Sequence, residues 1–194
     1  MKKHFFLTGS NSPALSAVFR SSLAPALSIA GGYITERVNQ ANEPTVIKLF
    51  PAAAAAGVEG FAGHVIYDAR GIAPQKDNEV FRSEGVRLLQ EAAYYPFAVL
   101  DRFGGYELVV PQYRQALAEL LSADLPLTGV LLSREEALSL GHSLGLGERF
   151  EMLVDRLHEA LRDDPDTVLV SVDKIGLPAA GRLLQQWQQE YLYA

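Results

Sequence analysis

Two short segments of the sequence carry residue types that could hold a phosphate group and a metal ion. In the first, an apolar run ends at Thr8, and Gly9 and Ser16 follow with the spacing of the pattern G-x-x-x-x-G-K-[ST]. In the second, the apolar residues 97–100 end in Asp101. A serine and an aspartate placed in this way can hold Mg²⁺ beside the phosphates of a nucleotide. The two segments therefore predict a magnesium-nucleotide site.

The first segment keeps the layout of a phosphate-binding loop but lacks residues that handle phosphate charge. Ala14 stands where the second glycine belongs, and Leu15 stands where the lysine belongs. Pro13 has no backbone N–H, so the loop also loses a donor. The residues expected to surround a ligand are Gly9, Ser10, Asn11, Ser12, Ala14, Leu15 and Ser16.

Several segments, taken in order, resemble one known family, the small P-loop nucleoside-triphosphatases of the thermophile and cancer-related type. The family's second motif reads approximately D-E-I-G-K-M-E-L, and residues 101–108 read D-R-F-G-G-Y-E-L. Residues 32–36 match a glycine-aromatic-x-Thr-Glu segment, and residues 81–85 match a Phe-x-x-x-Gly helix. Residues 111–117 match the helix after the second motif, so the resemblance covers most of residues 1–132.

The resemblance implies that Asp101 holds Mg²⁺ with Ser16, and that the residue after the aspartate activates water. Arg102 stands at that second position, and a guanidinium cannot take a proton. Asp101 and Arg102 are thus the catalytic candidates, in a site whose chemistry is damaged. Arg102 could instead bind an anion at the helix N-terminus in place of the lost lysine. The plainer alternatives are a helix-start serine, a strand-end aspartate and a salt-bridged arginine.

The order of elements predicts the fold class. Strand-like and helix-like segments alternate, which favours an α/β fold with a mainly parallel sheet of the P-loop NTPase type, flanked by helices. We expect one domain over residues 1–194. Residues 33–38, 45–50 and 61–67 predict an antiparallel addition to the sheet, and residues 51–60 predict a loop within it. The first helix is predicted over 14–29, with a bend at Pro25 and an end at the following glycine pair.

Composition limits the classes of function. The chain has 194 residues, of which 48% are hydrophobic and 21% charged, as in an ordinary globular domain. The net charge of −6 gives no support for a nucleic-acid partner. The absence of cysteine excludes disulfides and thiolate metal sites, and no apolar run reaches the roughly 20 residues of a membrane span. We therefore expect a cytoplasmic protein that binds neither nucleic acid nor membrane.

A second motif, G-x-S-x-G at residues 141–145, matches the nucleophile elbow of serine hydrolases. That elbow needs a strand before it and both an acid and a histidine after it. Here a helical pattern precedes it, and only His158 lies downstream, so a helix end with glycine turns is favoured. His4 and His64 lie in strand patterns and are interpreted as structural.

Three functions stay open from the sequence. The leading one is a degenerate NTPase-like protein that binds nucleotide or phosphate weakly, or acts as a scaffold for an unknown protein partner. The second is an active Mg²⁺-dependent nucleoside triphosphatase whose cation is relocated to Arg102 or to a partner chain. The third is an interaction module that binds no nucleotide.

Overall fold

The computed structural model describes residues 2–38, 40, 42–56 and 62–192. In this part, the strands are β1 (His4–Thr8), β2 (Ala30–Arg37), β3 (Val46–Pro51), β4 (His64–Asp68), β5 (Gln75–Lys76), β6 (Phe97–Phe103), β7 (Leu127–Leu131) and β8 (Thr167–Ser171). The α-helices are α1 (Ser12–Leu23), α2 (Asn78–Val80), α3 (Val86–Glu91), α4 (Pro111–Ser122), α5 (Arg134–Ser143), α6 (Glu148–Asp163), α7 (Val172–Ile175) and α8 (Leu177–Tyr191). A π-helical stretch, Phe81–Gly85, joins α2 to α3.

The strands form one mixed sheet in the order β5-β4-β3-β2-β6-β7-β1-β8. The five strands β2, β6, β7, β1 and β8 are parallel to one another. β3, β4 and β5 extend the β2 edge in antiparallel fashion. The predicted α/β class and its antiparallel addition are both confirmed. Because the parallel strands share a direction, the loops after β1, β6 and β7 lie along one edge of the sheet.

Helices cover both faces of the sheet, as a parallel sheet requires. On one face, α1 packs against α8, and Phe19, Leu184 and Trp187 are fully buried there. The Trp187 indole also donates to the backbone oxygen of Lys3 at 3.1 Å. The other core includes Tyr113 of α4 and side chains of α5 and α6. The central strands β6 and β7 are mainly apolar, because nearly all of their residues are buried.

The first helix is shorter than the sequence predicts. α1 ends at Leu23, before Pro25, and a short 3₁₀ segment, Leu27–Ile29, leads into β2. The glycine pair does not end a helix but lies inside β2. Gly32 has a φ of +80°, and a Cβ at this position would lie 2.2 Å from the Val99 carbonyl oxygen. The close contact between the strands therefore requires glycine at position 32. In the sequence alone, glycine at this position has the same appearance as a glycine that ends a helix.

The segment predicted as a loop between two antiparallel strands is helical in its described part. Ala52–Ala56 forms a 3₁₀ segment directly after β3, so the expectation of a loop is wrong there. The high helix propensity of alanine outweighs the flanking Pro51. Residues 57–61, including the start of the predicted strand 61–67, lie outside the described residues.

Candidate functional site at the carboxyl edge of the sheet

The loop between β1 and α1 lies where a phosphate-binding loop lies in this type of fold. Asn11 caps α1, and its side-chain oxygen accepts from the Ala14 N–H at 3.2 Å. The backbone oxygen of Asn11 accepts from the Leu15 N–H at 3.0 Å. The cap explains why α1 begins at Ser12, two residues before the predicted start.

Two carboxylates of the same chain bind donors of Ser10 and Ser12 in this loop. Asp173, on α7, accepts from the Ser10 N–H at 3.0 Å and from the Ser10 hydroxyl at 3.0 Å. Glu136, on α5, accepts from the Ser12 N–H at 3.0 Å. Since Pro13 has no N–H, the N–H groups of the first four residues of α1 are either bound within the protein or absent. An incoming phosphate must therefore displace a carboxylate to reach Ser10 or Ser12.

Leu15 takes the place of the loop lysine but turns into the core. Its side chain is buried in the same cluster as Phe5 and Phe19. A Cβ at Gly9 would lie 3.3 Å from the Leu15 side chain and 3.1 Å from the Asp173 carboxylate. The loop is thus packed from below by an apolar side chain and covered by an anion, and the lysine position supplies no charge.

The two candidate metal ligands are brought together. Ser16 Oγ donates to Asp101 Oδ1 at 2.5 Å, and both side chains are buried. The second oxygen of Asp101 lies 3.4 Å from the Thr35 N–H and 4.0 Å from Arg20 Nε. Burial raises the pKa of the Asp101 carboxyl, while the Ser16 hydrogen bond and the nearby Arg20 charge act against that rise.

This arrangement does not fit Mg²⁺ as it stands. The ion prefers an octahedral set of oxygen ligands and keeps several waters, but Asp101 is wholly buried and both of its oxygens face protein donors. No group of three or more acidic or histidine side chains that could hold a metal occurs in the part of the chain that the structure describes. The magnesium site at Ser16 and Asp101 stays a prediction.

Arg102 lies in a distorted part of β6. The strand continues past Asp101 to Phe103, and its register against β7 shifts between these two residues. Arg102 itself has a φ of +60°, which non-glycine residues rarely adopt. The bulge directs Arg102 into a cavity at the sheet edge, where its Nε is buried without a hydrogen-bond partner among the described residues. Burial lowers the pKa of this guanidinium, whereas Asp101 and Glu136 raise it.

Glu107 is a buried acid that the site candidates from sequence did not include. Its Oε1 accepts from the N–H groups of Gly104 and Gly105 at 2.6 and 2.8 Å. Burial raises the pKa of Glu107 to about 7, and these two hydrogen bonds, together with Arg102, limit the rise. The sequence held one signal for it, since this glutamate matches the acidic residue in the family's second motif.

Loop, bulge and buried acid meet at one cavity of about 490 Å³. Ser10 and Ser12 line it from the loop, and Arg102 and Glu107 from β6 and the turn that follows it. Glu136 lines it from α5, and its Oε2 is buried without a hydrogen-bond partner among the described residues. A cavity of this size accommodates a small ligand.

The G-x-S-x-G motif does not form a nucleophile elbow. Gly141, His142 and Ser143 are the last residues of α5, and Gly145 follows with a φ of +66° as a helix-ending glycine. The Ser143 hydroxyl donates to the Leu140 carbonyl at 2.7 Å. The interpretation as a helix end is therefore confirmed.

The two histidines interpreted as structural, His4 and His64, both lie in strands. A third, His158, is buried, with its Nε2 3.1 Å from the Leu132 carbonyl oxygen. His4 is buried in β1. His64 is the exposed first residue of β4.

None of the described helices is both long enough and apolar enough to cross a bilayer.

Strand order, loop and helix cap together define an α/β fold of the P-loop nucleoside-triphosphatase type. Comparison with solved structures agrees: THEP1 from the hyperthermophile Aquifex aeolicus is similar with a TM-score of 0.60 and 12% sequence identity, over 94% of this chain and 99% of that one. A human cancer-related nucleoside triphosphatase has a TM-score of 0.49 and 15% identity, over 83% of this chain and 98% of that one. No protein-family model and no curated protein sequence matches the chain. The similarity to THEP1 confirms the predicted resemblance at the level of the fold.

Proposed function

We propose that this protein is a degenerate P-loop NTPase-like protein that binds nucleotide, or another phosphate-containing ligand, weakly and does not hydrolyse it efficiently. One observation carries the proposal: Asp173 and Glu136 occupy the Ser10 and Ser12 donors that would otherwise face a phosphate. Hydrogen bonds to charged groups contribute about 1.5–3 kcal/mol each. A phosphate that must displace these carboxylates gains correspondingly little from the loop.

The residues at the positions expected to perform catalysis also support weak hydrolysis. The position of the lysine carries buried Leu15, which cannot neutralise charge developing on phosphate. The position after Asp101 carries an arginine, which cannot act as a base. The aspartate of the second motif, Asp101, is buried and accepts a hydrogen bond from Ser16. Positioning and charge stabilisation, the main contributions to phosphoryl transfer, are therefore weakened together.

The experiment is a phosphate-release assay with ATP and with GTP in the presence of Mg²⁺. We expect no turnover above that of the Asp101→Ala variant. Robust turnover that disappears in Asp101→Ala would contradict the proposal. Thermal melting of the same protein with millimolar nucleotide measures binding separately, since a ligand of the native state raises the melting temperature.

A second candidate, an active triphosphatase with a relocated cation, is favoured by one observation. Arg102 lines the same cavity as the loop serines and has an unpartnered buried Nε, so it could face a phosphate oxygen. This candidate predicts turnover that is lost in Arg102→Ala. Unchanged turnover in that variant would count against it.

A further inference from the structure

The cavity beside the loop has apolar and aromatic walls. Its volume is about 490 Å³. The apolar part of its lining includes Ile47, Ile66, Phe81, Tyr106, Leu132 and Leu140. Such walls favour a ligand with a planar or apolar body, because burial of apolar surface drives binding in pockets of this kind.

Two of the lining residues each carry a buried polar atom that has no hydrogen-bond partner among the described residues, and one atom is a donor and the other an acceptor. Arg102 Nε is a donor and Glu136 Oε2 is an acceptor, and each is buried without a hydrogen bond among residues 2–38, 40, 42–56 and 62–192. Buried polar groups in native proteins are usually satisfied, by protein, by water or by a ligand. A ligand that offers an acceptor to Arg102 and a donor to Glu136 would satisfy both.

The charge of the site opposes a polyphosphate. Among the described residues, the lining contains the carboxyl groups of Glu135 and Glu136, together with that of Glu107 when it is ionised, and one guanidinium, that of Arg102. Asp173 adds a further carboxylate at Ser10, which also lines the cavity. Each further phosphate on a ligand therefore adds repulsion and must compete with a carboxylate already hydrogen-bonded to the loop.

From these features we infer that the cavity binds an uncharged ligand that combines a planar body with hydrogen-bond donors and acceptors, namely a nucleoside, and that it selects against the corresponding triphosphate. This inference rests on the proposed function, because a site that hydrolysed triphosphates would need to hold them. Nucleosides fit the lining: the base provides an apolar face, and its edge and the ribose provide both donors and acceptors. Phosphate becomes a disfavoured addition rather than the anchor of the ligand.

The experiment compares ligands that differ only in phosphate count. Adenosine, AMP, ADP and ATP, and the same series for guanosine, are titrated into the wild-type protein by calorimetry at one salt concentration. We expect at least one nucleoside to bind, and its triphosphate to bind at least about tenfold more weakly. A triphosphate that binds more tightly than its nucleoside would overturn the inference, and so would the absence of binding by both nucleosides at millimolar concentration.

Two variants test the two halves of the inference. Asp173→Ala removes an exposed carboxylate from the loop, and we expect the affinity for ATP to rise by about threefold to tenfold with that for the nucleoside unchanged. Asp163→Ala, at an exposed site on α6, is the matched control and should change neither affinity. Ser139→Trp places a bulky side chain at an exposed position of the cavity lining, and nucleoside binding should fall at least about tenfold.

Other results have definite meanings. An unchanged ATP affinity in Asp173→Ala would overturn the statement that the site selects against the triphosphate. Nucleoside binding that survives Ser139→Trp would overturn the statement that the nucleoside binds in this cavity. Failure of the inference can be told from failure of the proposed absence of hydrolysis, because the latter fails only if phosphate is released. Tight ATP binding without turnover would refute both the nucleoside preference and the proposed weak binding of nucleotide, and it would leave the absence of hydrolysis intact.

Discussion

Glu107→Gln should change how the stability of this protein depends on pH. Glu107 is wholly buried, and its pKa is raised from the ordinary value of 4.5 to about 7. A carboxyl whose pKa is raised in the folded state contributes stability below its unfolded pKa and loses it as pH rises through the folded value. The contribution of Glu107 is thus fully present below about pH 4.5 and lost by about pH 8.

The magnitude follows from the two pKa values. At about 1.4 kcal/mol for each unit between them, ionisation of Glu107 costs the folded state about 3–4 kcal/mol. Glutamine keeps a side-chain oxygen for the N–H groups of Gly104 and Gly105 and does not ionise. The free energy of unfolding of Glu107→Gln should therefore rise relative to wild type, by about 3–4 kcal/mol, as pH increases across this window.

Urea unfolding followed by circular dichroism, at several pH values between about 4.5 and 8, measures this difference. Burial lowers the pKa values of His4 and His158, which gives stability that is lost as pH falls, but both proteins share these groups. Glu159→Gln, an exposed position on α6, is the matched control and should follow wild type. Parallel curves for wild type and Glu107→Gln would refute the reasoning.

Two further predictions concern a close contact between strands at Gly32 and the hydrogen bond of Ser16. Gly32→Ala should destabilise the protein by at least about 3 kcal/mol in urea unfolding, because its Cβ would lie 2.2 Å from the Val99 carbonyl oxygen at a φ of +80°. At Gly145 φ is +66°, but no described atom outside its chain neighbours lies within 4 Å of an added Cβ, so Gly145→Ala should cost only about 1 kcal/mol. Equal losses of stability in the two variants would contradict the close-contact explanation. Ser16→Ala should cost about 1.5–3 kcal/mol by removing the 2.5 Å donor to the Asp101 carboxylate. In an Asp101→Asn background the cost should be smaller, and strictly additive losses would show that the pair does not interact.

The fold could be predicted from sequence because its parallel strands are short apolar runs separated by helical patterns. Residues 97–100 are an example, and they lie in β6 of the sheet. The antiparallel addition could be predicted as well, since alternation and turn residues mark it. The prediction that the glycine pair ends a helix is wrong, because close approach between strands and a helix stop require the same residue type.

The site was only partly predictable. The two motifs predict that Ser16 and Asp101 lie close together, and the structure places them in a direct hydrogen bond, whereas their role as Mg²⁺ ligands stays a prediction. Leu15 is buried and supplies no charge, as its residue type implies. The carboxylates at the loop were not predicted, because Asp173 and Glu136 lie more than one hundred residues along the chain from the serines they bind. Such contacts depend on strand order, which local pattern does not encode. The left-handed backbone of Arg102 likewise has no signal in residue type.

The position of β1 in the sheet has a consequence for how the protein forms during synthesis. This strand leaves the ribosome before the others, yet its two neighbours, β7 and β8, are the last two strands made. The Trp187 indole then fastens the last helix to Lys3, 184 residues earlier. The nascent chain must therefore keep an apolar strand without its neighbours in the sheet until residues 127–171 have been synthesised, which exposes it to chaperones and to aggregation. The loop is completed late for the same reason, since Asp173 follows β8 in the chain and cannot contact Ser10 before β8 has been synthesised.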